Sequence, residues 1–205
     1  MILAFYRQII INHIDIKRNI WSKYPGETLL NKKVGVIGVG NIGKKIIEMI
    51  QGFKTINYVN DIKKINQNFL KKFKLKSKTK KFIFNKCDII IIATDLNSSS
   101  FKIINKKTIN DFKNNPLIVN IARGGTVDSK ALLLSLKKKK IKGACLDVFD
   151  VEPLAKNSLF KKYTNCILSS HNAFNTKDEV EFVNRNTLNN IFKGLNLNAE
   201  NIKKF

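Results

Sequence analysis

Apolar residues fall along this chain in short runs of strand length, separated by segments in which they return every three or four positions. The runs at 33–37, 55–59, 88–93, 117–121, 141–146 and 166–169 predict strands. Several are apolar throughout, such as the isoleucines at 89–92, which is the pattern of a strand covered on both faces. Between them, residues 41–53 place Ile42, Ile46, Ile47, Ile50 and Phe53 on one helical stripe. A second helix over 129–137 follows Asp128 as its cap. The last opens at Thr176 with Glu179 three residues on, a capping box, and carries Val180, Val183, Leu188, Ile191, Phe192 and Leu195 at helical spacing. Such alternation predicts an α/β fold, a parallel sheet wound on both sides by helices. The stretch 63–81 is weakly patterned, with a short strand near 73–75. Residues 1–30 do not fit a strand–helix unit. They read as a helix over 1–11 and an irregular arm holding Trp21 and Tyr24-Pro25-Gly26, packed on its own domain or on a second subunit.

Composition narrows the class. The 205 residues, 43% hydrophobic and 26% charged, suit one globular domain with an appendage. No apolar run approaches the roughly 18 residues a membrane helix needs. The apolar opening carries Arg7 and no small-residue cleavage site follows, so it reads poorly as a signal peptide. A soluble, cytoplasmic domain is expected. The net charge of +23 raises nucleic acid, an anionic surface or an anionic ligand as partners. Only four of the 38 basic residues are Arg, however, and the chain also holds 29 Ile and 26 Asn. Lys, Ile and Asn share A/T-rich codons, and nucleic-acid readers cluster Arg and interleave aromatics, a pattern absent here. The excess reads as a solvated, compositionally biased surface, with no nucleic-acid or membrane partner. Cys87, Cys145 and Cys166 form no C-x-x-C pair, and two sit in strand-like runs, so a reducing compartment and no metal site are expected.

Chemistry enters at four places. Gly38, Gly40 and Gly43 form G-x-G-x-x-G between an apolar strand and an amphipathic helix, the context its mechanism requires. Gly38 permits the tight turn, Gly40 lets a pyrophosphate approach the backbone, and Gly43 lets helix and sheet pack closely. The helix N-terminus then favours the phosphates. Eighteen residues beyond Gly43 stands Asp61, placed to accept ribose hydroxyls and to repel a 2′-phosphate, so NAD is favoured over NADP. Lys63 and Lys64 soften that preference. After the strand at 117–121, Arg123 is the only arginine between residues 19 and 184; its planar fork binds a carboxylate bidentately. Glu152 follows the next strand and His171 the one after. In doubly wound sheets ligands bind beyond the carboxyl ends of the strands, so these residues are expected at one cleft. A His beside a Glu makes a general acid/base pair whose imidazole pKa the carboxylate raises. His13, the other histidine, has no partner pattern and reads as structural.

With these motifs in this order, the chain resembles the D-isomer-specific 2-hydroxyacid dehydrogenases, the family of phosphoglycerate, glycerate and D-lactate dehydrogenases. The resemblance runs from Trp21 through the glycine fingerprint, 120–128 and 146–153 to 171–176. It implies a Rossmann-type NAD-binding domain over 31–175, preceded by a connecting helix and arm over 1–30 and followed by a C-terminal helix over 176–205 packed on it. It further implies that Arg123 holds the substrate's carboxylate and carbonyl, that His171 exchanges the proton of the 2-hydroxyl, and that Glu152 hydrogen-bonds His171. Asp147 would meet the nicotinamide carboxamide, Asn41 and Ile42 the pyrophosphate, and Ile121, Ala122, Arg123 and His171 would complete the cofactor contacts. The family pairs two such domains in a dimer through the connecting helix and arm, and places a substrate domain of roughly 100 residues before the dinucleotide domain, the size of one small domain. This sequence begins at the connecting helix. Asp95 and Asn97 stand where the family usually has Pro and Thr, Ser170 replaces a Pro, and Phe174 a small residue. Three readings follow: an NAD-dependent 2-hydroxyacid oxidoreductase, here mainly its cofactor-binding and catalytic half; a non-catalytic NAD-binding or interaction module, or a fragment needing a partner chain; and, on charge alone, an anion or nucleic-acid binder.

Overall fold

A computed structural model describes residues 1–195, so the last ten positions of the expected segment 176–205 lie outside the described residues. The order is α1 (Ile2–Tyr6), α2 (Ile9–Lys17), β1 (Lys33–Ile37), α3 (Asn41–Ile50), β2 (Ile56–Asn60), α4 (Gln67–Lys72), β3 (Lys76–Ser77), α5 (Lys80–Lys86), β4 (Ile89–Ile92), α6 (Lys106–Ile109), β5 (Leu117–Asn120), α7 (Ser129–Lys137), β6 (Gly143–Leu146), β7 (Cys166–Leu168) and α8 (Lys177–Gly194). The strands form one seven-stranded sheet in the order β3-β2-β1-β4-β5-β6-β7, parallel at every pairing. The chain divides into two compact units, Met1–Ser170 and one that begins at His171.

The all-apolar strands do what their pattern demands. In β4 each residue is at most 1% exposed, and alternate side chains enter different cores. Ile90 and Ile92 join Ile83 and Phe84 of α5 and Leu132 and Leu136 of α7. Ile89 and Ile91 join Phe5 and Tyr6 of α1 and Ile47 and Ile50 of α3. Burying the central strands β1, β4, β5 and β6 on both faces supplies the apolar area on which such a fold rests. The sheet order reverses between β1 and β4, and that switch point opens a crevice at the strands' carboxyl ends.

The sequence expectations need four corrections. The helix over 1–11 is two helices, broken where Gln8 adopts a left-handed conformation (φ 55°), and the second runs on to Lys17. The strand near 73–75 forms instead at Lys76–Ser77, because Lys74 turns left-handed after α4. Of the stripe on α3, Ile47 and Ile50 are buried, whereas Ile42 is 62% and Phe53 41% exposed. At α8, Thr176 caps the Glu179 amide at 3.2 Å, but the Thr176 amide donates to the Phe174 carbonyl, so the box is half formed. The helices α4, α5 and α6 were not foreseen. Asp128 does cap α7, accepting from the Ala131 amide at 3.0 Å. That bond, with Lys102 nearby, holds its carboxyl below the usual range.

The irregular arm is anchored through polar groups. The Tyr24 hydroxyl donates to the carboxylate of buried Asp15. The Glu27 amide donates to the Tyr6 carbonyl at 2.8 Å, and its carboxylate pairs with Lys142 and, at 2.6 Å, with Lys32. Those two lysines hold the Glu27 carboxyl below its ordinary value and flank the Tyr6 ring at 5.2 and 5.4 Å. Burial, and then Glu27 and Asp88, push the Tyr6 phenol up. None of the three cysteines is disulfide-bonded, and burial pushes each thiol up to about 12.

Nine described residues other than glycine have positive φ. Three end helices in the same manner. Asn19 follows α2, Lys74 follows α4 and Lys139 follows α7. In each case the next amide reaches back to the last turn: Ile20 to the Asp15 carbonyl, Leu75 to Leu70, and Lys140 to Ser135, all at 2.9 Å. This closure most often uses glycine.

Candidate active site

The glycine turn is built as its spacing requires. Gly38 leaves β1 at φ 96°, and its amide donates to the Asn60 carbonyl at 2.9 Å. A methyl group on Gly38 would strike the Ala93 carbonyl, and one on Gly43 would strike the Gly38 carbonyl oxygen. Gly40, the N-cap of α3, would place a methyl in open space. Tight packing at the first and third glycines and clearance at the second are what a pyrophosphate on this turn needs. Asn41 and Ile42, both exposed, form the first helical turn beside it.

Asp61 follows the last residue of β2 and is tied to the same turn. One carboxylate oxygen accepts the Val39 amide at 2.6 Å and the other the Lys63 amide at 2.8 Å. A carboxylate has about four acceptor positions, so capacity remains for ribose hydroxyls. Gly38, Asp61, Ile62, Lys80, Thr94 and Ser99 line a shallow pocket at this end of the crevice. These residues fit an adenosine dinucleotide. Lys80 was not singled out in the sequence, where it is one lysine in a run of them.

The turn after β5 carries Arg123 at an exposed position. Asn120, 1% exposed, organises it. Its amide nitrogen donates to the Arg123 carbonyl at 3.2 Å, and its oxygen accepts from the Ala122 amide at 3.1 Å. The buried Thr126 hydroxyl lies 2.7 Å from the Arg123 carbonyl and 3.3 Å from the Asn120 oxygen. The guanidinium donates to the Ala122 carbonyl at 2.7 Å. Ala122 is buried and Ile121 half-buried. Neither Asn120 nor Thr126 was given a role from sequence.

Asp147 is buried directly after β6, its amide donating to the Asn120 carbonyl at 3.0 Å. Glu152 folds back on the same turn and accepts from the Phe149 amide at 2.9 Å. After β4, Asn97 accepts from both the amide and the hydroxyl of Ser99, at 2.9 and 2.7 Å, while Ser100 donates to the Asp95 carbonyl at 2.6 Å. Asn97 thus shapes this loop by itself, and the Asp95 side chain is exposed. The structure therefore brings the glycine turn, Asp61, Arg123, Asp147 and Glu152 to the carboxyl ends of the sheet. His171 opens the second unit with a left-handed backbone (φ 56°), its ring edge-on to Phe174 at 6.1 Å. His13 is exposed on α2. Among the described residues no His, Cys, Asp and Glu cluster could hold a metal ion, and no helix is long and apolar enough to cross a membrane.

Comparisons with known proteins agree with this geometry. Residues 1–173 match the family model for the D-isomer specific 2-hydroxyacid dehydrogenase, NAD binding domain. The chain is 34% identical over 161 residues to D-3-phosphoglycerate dehydrogenase of Bacillus subtilis, covering 78% of this chain and 30% of that protein. It is 32% identical over 177 residues to 2-ketogluconate reductase of Gluconobacter oxydans, covering 84% of this chain and 55% of that one. A protein of Pyrococcus horikoshii of known crystal structure superposes with a TM-score of 0.86 at 30% identity, over 94% of this chain and 60% of its own. The chain thus spans about a third to about a half of the length of these curated relatives.

Proposed function

The chain belongs to the D-isomer specific 2-hydroxyacid dehydrogenase family, and from that premise we propose that it is an NAD-dependent oxidoreductase of the cytoplasm, acting on the CH–OH group of a D-2-hydroxy acid and contributing the cofactor-binding and catalytic half. When bound, NAD supplies the hydride acceptor at its nicotinamide. The side chains do the rest. The Gly38–Gly43 turn and the Asn41 and Ile42 amides take the pyrophosphate, Asp61 the adenosine ribose, and Asp147 the carboxamide end, flanked by Ile121 and Ala122. The Arg123 fork holds the carboxylate of the hydroxy acid and steadies the oxygen on its neighbouring carbon. His171 accepts the hydroxyl proton in oxidation and returns it in reduction, with Glu152 as the acidic member of the proposed pair.

The observation that carries this reading is the Val39 amide on the Asp61 carboxylate at 2.6 Å, which fixes the ribose-reading acid against a glycine turn left open at Gly40. Calorimetric titration of the full chain with NADH, followed by a panel of 2-oxo acids, tests it. Micromolar NADH binding is expected, with NADPH weaker, and a further response to a 2-oxo acid. Absence of NADH binding would overturn the proposal. The rival reading is an NAD-binding module without turnover. Oxidation of any 2-hydroxy acid with NAD would remove it.

The partner we propose, besides the small acid, is a second copy docking through 1–21. That segment exposes Ile9, Ile10, Ile14, Ile16 and Ile20 by 40–52% and Trp21 by 84%, apolar side chains that a second protein surface would cover. Sedimentation should show a dimer whose dissociation constant rises on Trp21→Ala. A monodisperse wild-type monomer would contradict it.

A further inference from the structure

We infer that Lys80 is a counter-charge for a 2′-phosphate, so that the crevice accepts NADP(H) as well as NAD(H). This rests on the nucleotide reading above and concerns only its adenosine end. Lys80 is the first residue of α5 and lines the same pocket as Gly38, Asp61 and Ile62. It is half-buried there, whereas Lys76, Lys78 and Lys81 on either side are exposed. Its neighbour Lys78 is engaged elsewhere, its ammonium 5.3 Å from the Phe82 ring. The ion pairs of the described residues are Glu27 with Lys32 and Lys142, Lys45 with Glu48, and Lys102 with Asp128. Lys80 has none, although the pocket it lines contains Asp61.

The reason lies in how Asp61 is held. Its two oxygens each accept one backbone amide, from Val39 and Lys63, which turns the carboxylate toward the glycine turn, and no ion pair among the described residues joins it to Lys80. The carboxylate keeps its charge and still opposes a 2′-phosphate, and an ammonium in the same pocket offsets part of that repulsion. A phosphate near the ribose edge then meets a carboxylate already hydrogen-bonded on one side and an uncommitted ammonium on the other. Lysine suits this task, since a phosphate is recognised by a point charge without the bidentate geometry an arginine would impose. NADH remains preferred, but by a narrow margin.

Titration of the full-length wild type, Lys80→Ala and Lys81→Ala with NADH and with NADPH decides the matter. Lys81→Ala removes the same charge one residue along the helix, outside the pocket, and so controls for long-range attraction. One charge pair at a partly exposed site is worth about tenfold in affinity. The wild type should bind NADPH within about tenfold of NADH. The ratio of the two dissociation constants should widen about tenfold in Lys80→Ala and stay at the wild-type value in Lys81→Ala. Raising the salt should narrow the difference between the variants. A wild type that binds NADH and not NADPH, or equal ratios in both variants, overturns this inference and leaves the proposed function standing. A wild type that binds neither nucleotide overturns the proposed function itself. Matching urea midpoints for the three proteins confirm that the comparison is between folded chains.

Discussion

Gly43→Ala is expected to lower the stability of the chain by about 3 kcal/mol or more and to abolish NADH binding. The added methyl group would overlap the carbonyl oxygen of Gly38, a backbone atom that cannot rotate aside. Relief requires α3 to lift from β1. That helix is pinned by Ile47, fully buried, and Ile50, 8% exposed, so lifting it opens the core on that face of the sheet. Overpacking of this kind typically costs 1–3 kcal/mol, and more where backbone must move. For a chain of this size the melting temperature should fall by about 6–12 °C. Gly40→Ala is the informative companion. It has room for its methyl and a negative φ of −72°, so stability should change by less than about 0.5 kcal/mol while nucleotide affinity drops. A Gly43→Ala protein that melts with the wild type would show that the helix does not rest on the turn.

Asn120→Ala is expected to cost about 2–4 kcal/mol and to reduce any 2-oxo acid response more than the loss of fold explains. Asn120 fastens both sides of the Arg123 turn, donating to the Arg123 carbonyl and accepting from the Ala122 amide and the neighbouring Thr126 hydroxyl. Truncation leaves the Ala122 amide without that partner at a site closed to water, and each such buried group costs about 1–3 kcal/mol. The Thr126 hydroxyl still has the Arg123 carbonyl, which limits the damage. Asn120→Asp keeps the acceptor but buries a carboxylate against the Arg123 carbonyl, and should cost at least as much as alanine. Urea denaturation gives the stability, and titration of the NADH-saturated protein with a 2-oxo acid reports on Arg123. A loss below about 0.5 kcal/mol for Asn120→Ala would mean the turn holds itself.

Legibility of the fold has a physical basis. β1 was read to the residue, and β2, β4, β5, β6 and β7 to within one or two; for β4, buried throughout on both faces, the unbroken apolar run is the reason. β3 has two polar residues at a sheet edge and leaves no such run. The break at Gln8 carries neither glycine nor proline to announce it. At the site, Asp61 stood out by its spacing from the glycine turn, and Arg123 because arginines are scarce in this composition. Lys80 and Asn120 did not, being one of many lysines and one of 26 asparagines. Their roles depend on which neighbours the fold brings near, and spacing along the chain does not encode that.

The left-handed residues have a consequence for how the chain lives in solution. Helix endings that glycine would close without strain are closed here by Asn19, Lys74 and Lys139, and six more positions are held the same way. Each costs on the order of 1 kcal/mol relative to glycine, somewhat less for asparagine. Together they approach the whole net stability of an ordinary domain, about 5–15 kcal/mol. Whatever binds the folded form offsets part of that cost, since a ligand at a hundred times its dissociation constant adds about 2.7 kcal/mol. A nucleotide bound as proposed would then hold the scaffold together as well as serve the proposed chemistry.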